Sequence, residues 1–246
     1  MIENKIKFPT EMVDLPSKGL LYPEGHPLST GKIELKYMTA REEDILTNQN
    51  YLKQGVVIDK LLQSLIVTKF DFDDLLIGDK NAIMVAARVL GYGQDYTFTY
   101  EGEEVTVDLS NLSSIELDED KIEKGVNSFE YTLPHSGTKI TFKLLTGKDE
   151  KAIDAEIKGL KKINKTGSPD LSTRLKHQIL SVEGDEDKKS IRDFVDNYFL
   201  ARDSSSFRTY LKSINPDIKM VFNHLTDNGE EEVSIPLQVQ FFWPDA

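Results

Sequence analysis

Apolar and polar positions alternate with a period of two over Ile33, Leu35 and Tyr37, and again over Ile140, Phe142 and Leu144. That spacing turns one face of a strand toward a core. Each run is followed by a threonine and an acidic stretch: Thr39 with Glu42, Glu43 and Asp44, then Thr146 with Asp149 and Glu150. A threonine three residues ahead of a carboxylate is placed to satisfy free amides at a helix start. Both segments read as a strand running into a capped helix, Glu42 completing a capping box and Asp149 a weaker version of it.

The pattern continues with a helix over 40–53, ended near Gly55, and a second over 56–67, with Leu61, Leu65 and Ile66 at helical spacing. A third spans 79–90 and stops at Gly91. Tyr96, Phe98 and Tyr100 then face Val105, Val107 and Leu109 across Glu101-Gly102, a hairpin signature. The second half follows the same order. Leu133-Pro134 echoes Leu15-Pro16, Leu175, Ile179 and Leu180 echo Leu61, Leu65 and Ile66, and Leu200 to Asp203 echoes Leu76 to Asp79. The hairpin returns as Met220 and Phe222 against Val233 and Ile235. Any one match is weak, but their shared order predicts a tandem duplication. Its length differences fall at loops over 158–169 and 183–189 and at a longer hairpin turn over 223–229.

The expected fold is α+β, in two tandem, duplicated modules, each a strand, several helices and a C-terminal β-hairpin. Residues 1–31 form an N-terminal arm, 32–109 the first module, 110–127 a linker and 128–246 the second module with an aromatic C-terminal tail. The arm is expected to be irregular because Pro9, Pro16, Pro23 and Pro27, with Gly19, Gly25 and Gly31, interrupt any period. Its apolar residues, among them Leu20, Leu21 and Tyr22, place it against a surface of this chain or of another.

Composition narrows the function. A chain of 246 residues, 39% hydrophobic and 29% charged, can bury a sizeable core. It shows no apolar run of spanning length and no signal-peptide pattern, so neither membrane insertion nor export is expected. Without cysteine it has no disulfide, no thiol nucleophile and no thiolate metal site. A net charge of −12 repels phosphate backbones, which argues against nucleic acid. Lys158, Lys161, Lys162 and Lys165 read as a solvated loop rather than a basic contact patch.

Local chemistry is sparse. His26, His135, His177 and His224 are scattered without metal-ligand spacing. Glu42, Glu43 and Asp44 are accounted for by helix capping, and Asp79 and Asp203 are read as N-caps. Asp71, Asp73 and Asp74 lack the glycine of a calcium loop, and no phosphate-cradling glycine motif or nucleophile elbow occurs. No catalytic residue, cofactor site or metal site is assigned. The competing reading is a hydrolase with a spatially assembled acidic site on Glu42 or Asp79.

Two features suggest partner binding: Leu20, Leu21 and Tyr22 in the arm, and Phe241, Phe242, Trp243 and Pro244 at the end. A terminal aromatic cluster must dock, either on its own core or in a partner's pocket.

The runs Leu15-Pro-Ser-Lys-Gly-Leu-Leu-Tyr-Pro-Glu-Gly25, Tyr37-Met-Thr-Ala-Arg-Glu-Glu-Asp-Ile-Leu-Thr47, Leu76-Ile-Gly-Asp-Lys-Asn-Ala-Ile83 and Phe241-Phe-Trp-Pro244 resemble the baseplate family of T4-like contractile-tailed phages. The resemblance runs from Val13 to Pro244. It implies a non-enzymatic virion-assembly protein without a cofactor, a subunit of the central baseplate hub or a factor that helps the hub form. Its partners would be other phage baseplate or hub proteins, met in the host cytoplasm during assembly, with a final place in the virion tail baseplate open. An acidic surface would make such association salt-sensitive.

Overall fold

A computed structural model of the chain describes residues 9–115, 117, 119, 122–163, 169–226, 229–236 and 239–242. The first strand, β1 (Thr10–Asp14), pairs antiparallel with β2 (Lys32–Lys36), Val13 opposite Ile33. β1 lies inside the segment expected to be irregular. Four of its five side chains are exposed, so no alternation announces it. The chain between the two strands folds back on itself, and Leu15, Leu21, Tyr22 and Leu28 enter the core. Gly19 and Gly31 make this possible at φ +76° and +72°, since a Cβ on Gly19 would sit 2.5 Å from the Gly31 nitrogen.

From β2 the chain enters α1 (Ala40–Leu46), and Thr39 and Glu42 form the expected capping box. The single helix expected over 40–53 is two. Asn48 turns its side-chain oxygen onto the amides of Asn50 and Tyr51 at 3.0 and 3.2 Å and starts α2 (Gln49–Gln54). α3 (Val57–Leu65) buries Val57, Leu61, Leu62 and Leu65, after which Ile66 leaves the helix and bridges Leu35 of β2. α4 (Ile77–Tyr92) begins earlier than its pattern suggested and leads to the hairpin β3 (Asp95–Tyr100) and β4 (Glu103–Asp108). Glu101 and Gly102 at the tip both have positive φ, 50° and 89°, as a type I′ turn requires.

The segment expected to be a linker contains β5 (Ser114–Ile115). After it come β6 (Phe129–Thr132), β7 (Lys139–Phe142), α5 (Gly147–Ile163), α6 (Asp170–Gln178) and β8 (Ile179–Val182). Then follow α7 (Lys188–Asp193), one π-helical turn at Phe194–Tyr198, α8 (Ala201–Ile214), β9 (Asp217–Ile218), β10 (Val221–Thr226) and β11 (Gly229–Ser234). β6, β7 and β8 form a three-stranded antiparallel sheet. β5 pairs with β9, so the stretch between the halves is tied to the second hairpin.

Three further expectations are corrected here. Lys158, Lys161 and Lys162 lie on α5 and not in a loop, while Lys165 falls outside the described residues. Ile179 and Leu180 open β8 rather than continuing a helix. The β10–β11 ladder runs on to Thr226 opposite Gly229, which shortens the long turn expected over 223–229.

Both halves run from an antiparallel strand pair joined by a loop, through a helix opened by a threonine and an acid, to a later helix and a hairpin; the first half has α1, α2 and α3 where the second has α5 and α6, and α7 is without an α-helical counterpart in the first. β6 stands where the first half has β1, and β8 stands where it has Ile66. Buried side chains of both halves belong to one apolar cluster.

The halves meet where α4 begins. Leu76 bridges Thr146; the Ile77 N–H donates to the Leu145 carbonyl at 3.2 Å, and the Gly147 N–H donates to the Leu75 carbonyl at 2.8 Å. Lys151 pairs with Asp73, and Asn81 donates to Asp217 at 3.0 Å. Gly78 lies so close to the backbone of Pro216 that an added Cβ would be 1.7 Å from its oxygen. At the far end the two hairpins touch through Phe98 against Phe222, with ring centroids 5.4 Å apart, and Tyr100 against His224 at 5.2 Å.

Candidate functional site

The two carboxylates that a hydrolase reading would use are fully engaged. Glu42 is 0% exposed and accepts four hydrogen bonds: from Lys36 and Ser64 at 2.8 Å, the Thr39 N–H at 3.0 Å and the Thr39 hydroxyl at 2.6 Å. Burial pushes its carboxyl up, but Lys36, Thr39 and Ser64 together outweigh that and hold it at about 2. At the second joint Asp149 accepts from Lys143 at 2.6 Å and from the N–H and hydroxyl of Thr146, both at 3.0 Å. In both joints the lysine stands six residues ahead of the acid and reaches it from the strand.

Asp79 and Asp203 are not N-caps. Leu76 and Leu200 hold the cap positions, and each aspartate sits one turn in, wholly buried. Asp79 receives the Ser17 N–H at 3.0 Å, the Ser17 hydroxyl at 2.6 Å and the Tyr22 hydroxyl at 2.7 Å. Burial raises its carboxyl against the pull of Ser17 and Tyr22, and burial beside Asp79 raises the Tyr22 phenol strongly. Asp203 receives the N–H groups of His135 and Ser136 at 2.8 and 3.0 Å. Burial raises it too, but these bonds prevail and its carboxyl is held low. Each aspartate therefore pins the loop between the first two strands of its half to the helix that closes that half.

Four of the residues expected from the sequence to meet a partner, Leu21, Tyr22, Phe241 and Phe242, are buried within the chain. Leu21 and Tyr22 are buried and Leu20 is half-buried. Beyond its bond to Asp79, the Tyr22 hydroxyl accepts from the Leu76 N–H at 3.1 Å, and its ring stacks on His26 at 5.1 Å. Phe241 and Phe242 are 0% exposed, Phe241 meeting Tyr96 edge-on at 4.9 Å. Of the two dockings open to the tail, these two rings take the chain's own core, where each contributes about 1.5–3 kcal/mol by leaving water. Trp243 and Pro244 lie outside the described residues.

A space of about 720 Å³ between β1 and the β5–β9 ladder is lined by Asp14, Lys18, Lys32 and Ser114 among others. Among the described residues no group of three or more histidines and carboxylates is placed to hold a metal ion, and no helix is long and apolar enough to cross a membrane. The surface instead carries exposed apolar side chains that the sequence reading passed over, chiefly Tyr198 and Leu200 beside the π-helical turn. Alignment of Leu200 with Leu76 was the available signal, and it pointed to burial.

The family described as T4 bacteriophage base plate protein matches residues 10–201. The chain belongs to this family. The match takes in β1, both capped joints and Asp79, and ends at the first residue of α8, short of Asp203. This member is a phage baseplate component, and the family resemblance drawn from its sequence is upheld. No curated protein and no solved structure matches it.

Proposed function

We propose that this baseplate protein is a non-enzymatic interaction component of the contractile tail, acting as a hub subunit or as a factor that assembles the hub in the host cytoplasm. The observation that carries this is the family match across both halves. It is supported by the internal use of the buried acids: Glu42, Asp79 and Asp203 all serve to join strands, loops and helices. The repeated succession of elements supports descent by tandem duplication, which would provide a rigid two-part body.

Direct partners on this reading are other baseplate or hub proteins, approached by an acidic surface. Trp243 and Pro244, following the buried anchor of Phe241 and Phe242, are the proposed terminal contacts. Mass spectrometry of purified mature particles tests the role. A fixed stoichiometry identifies a subunit; absence from particles together with failure of hub formation in a deletion phage identifies an assembly factor. Normal particles from the deletion phage would overturn both. Removing residues 243–246 should weaken hub association while leaving the fold intact, and unchanged association would remove that contact. For the hydrolase alternative, Glu42→Gln and Asp79→Asn would have to abolish a measurable turnover.

A further inference from the structure

The contact between the halves has an unused counterpart at each end of the repeat. In the first half the segment Leu75–Leu76–Ile77 ahead of α4 docks on Leu145–Thr146–Gly147, the joint that opens α5. The corresponding segment of the second half is Phe199–Leu200–Ala201, ahead of α8. Its backbone is set the same way, Leu200 at φ −57°, ψ 140° against Leu76 at −62°, 144°. Yet Leu76 is 3% exposed and Leu200 is 51% exposed, with Tyr198 beside it at 64%.

The corresponding joint of the first half is Met38–Thr39–Ala40, and among the described residues it too is without a docked segment. Among the described residues, the Ala201 N–H and Phe199 carbonyl, like the Met38 carbonyl and Ala40 N–H, make no hydrogen bond. These four groups are the equivalents of the four that pair between the halves. A leucine presented on such a segment, with a free donor and acceptor beside it, is half of an interface whose other half is seen in the same molecule.

We propose that Phe199–Ala201 of one copy docks on Met38–Ala40 of a second copy, repeating between molecules the contact that joins the two halves. The surface pairs one end of the repeat with the other, so the interface is heterologous and the assembly extends as a ring or a short filament rather than closing as a two-fold dimer. It is shallower than the internal contact. Arg202 stands where α4 has Gly78, Ala40 stands where α5 has Gly147, and Met38 covers Gly91 at the site of approach. Association is therefore weak and concentration-dependent, suited to subunits that add and exchange. The inference rests on the repeated geometry and not on the baseplate role, so either can fail alone.

Sedimentation velocity of the full chain tests it. Wild type is expected to rise above monomer mass with concentration. Proline is tolerated at the first position of a helix, and both preceding residues are extended, so Ala201→Pro and Ala40→Pro each delete one N–H without disturbing the helix. Each variant alone should stay monomeric, and an equimolar mixture should form dimers and nothing larger, because a single intact pair of surfaces remains. Leu200→Asp should act like Ala201→Pro, whereas Met12→Asp, at an exposed apolar residue elsewhere, should leave association unchanged. Circular dichroism confirms folding of each variant. A wild type that stays monomeric at high concentration, association that survives in the proline variants, or a mixture that fails to dimerise would overturn the proposal.

Discussion

The two halves use one framework and fill it differently. Each has a buried aspartate in the first turn of its closing helix that holds the loop between its first two strands. In the first half Asp79 takes two side-chain hydroxyls and one amide, all buried; in the second Asp203 takes two backbone amides from exposed residues. The difference traces to the longer first loop, which supplies Tyr22. What this teaches is that the position of an acid in the fold can be preserved while its energetic weight and its protonation behaviour change with the donors around it.

The sharpest way to break the comparison is Asp79→Ala against Asp203→Ala. The first strands the Ser17 amide, the Ser17 hydroxyl and the Tyr22 hydroxyl in the core and is expected to cost about 3–5 kcal/mol, since each buried unsatisfied group costs about 1–3 kcal/mol. The second frees amides that water can reach, and about 1–2 kcal/mol is expected. Equal losses in urea unfolding would show that the added donors are without consequence.

Gly78→Ala tests the junction of the halves. With a Cβ only 1.7 Å from the Pro216 oxygen, α4 must shift, at a cost of about 2–3 kcal/mol. Arg202→Ala, at the matching position of α8, is exposed and should change stability by less than about 0.5 kcal/mol. A large loss at Arg202 would mean that the two helices are seated alike.

At the capped joints, Glu42→Gln should cost about 2 kcal/mol and Asp149→Asn about 1 kcal/mol, because Glu42 has an extra partner in Ser64 and is the more deeply buried. The Glu42 carboxyl is lowered from 4.5 to about 2. Its contribution is therefore complete above about pH 4.5 and is lost as pH falls toward 2. Glu42→Gln should flatten that acid limb in unfolding curves.

The smallest effect is in the sense of titration of the two aspartates. Asp203, held low, contributes stability that is present above its ordinary range and lost as pH falls; Asp79, pushed up, contributes stability that is present at low pH and lost as pH rises through its folded value. Carboxyl chemical shifts followed by NMR should move at lower pH for Asp203 than for Asp79, and coincident titrations would contradict the assignment.

Much of this framework was legible in the residues. The alternations at Ile33 and Ile140, the Thr39 and Thr146 caps and the Glu101-Gly102 turn are local signals, each carried by a few neighbours whose geometry follows from their own chemistry. β1 was not legible because its exposed side chains carry no period, and β8 was hidden because four residues cannot distinguish a strand from the end of a helix. The candidate site was less legible still. Tyr22, Phe241 and Phe242 are apolar and near chain ends, which marks them as docked without saying on what.

The sequence by itself determined the α+β class, the doubled joint, the first hairpin and the family, because periodicity and capping act over a few residues and motifs are read along the chain. Only the tertiary structure decided that the supposed N-caps Asp79 and Asp203 are buried ties to the loops at Ser17 and His135. It alone decided that Phe241 and Phe242 turn inward and that Leu76 is covered while Leu200 is bare. Those outcomes depend on which residues, more than 50 apart in sequence, come to share one place, and local pattern carries no information about that distance.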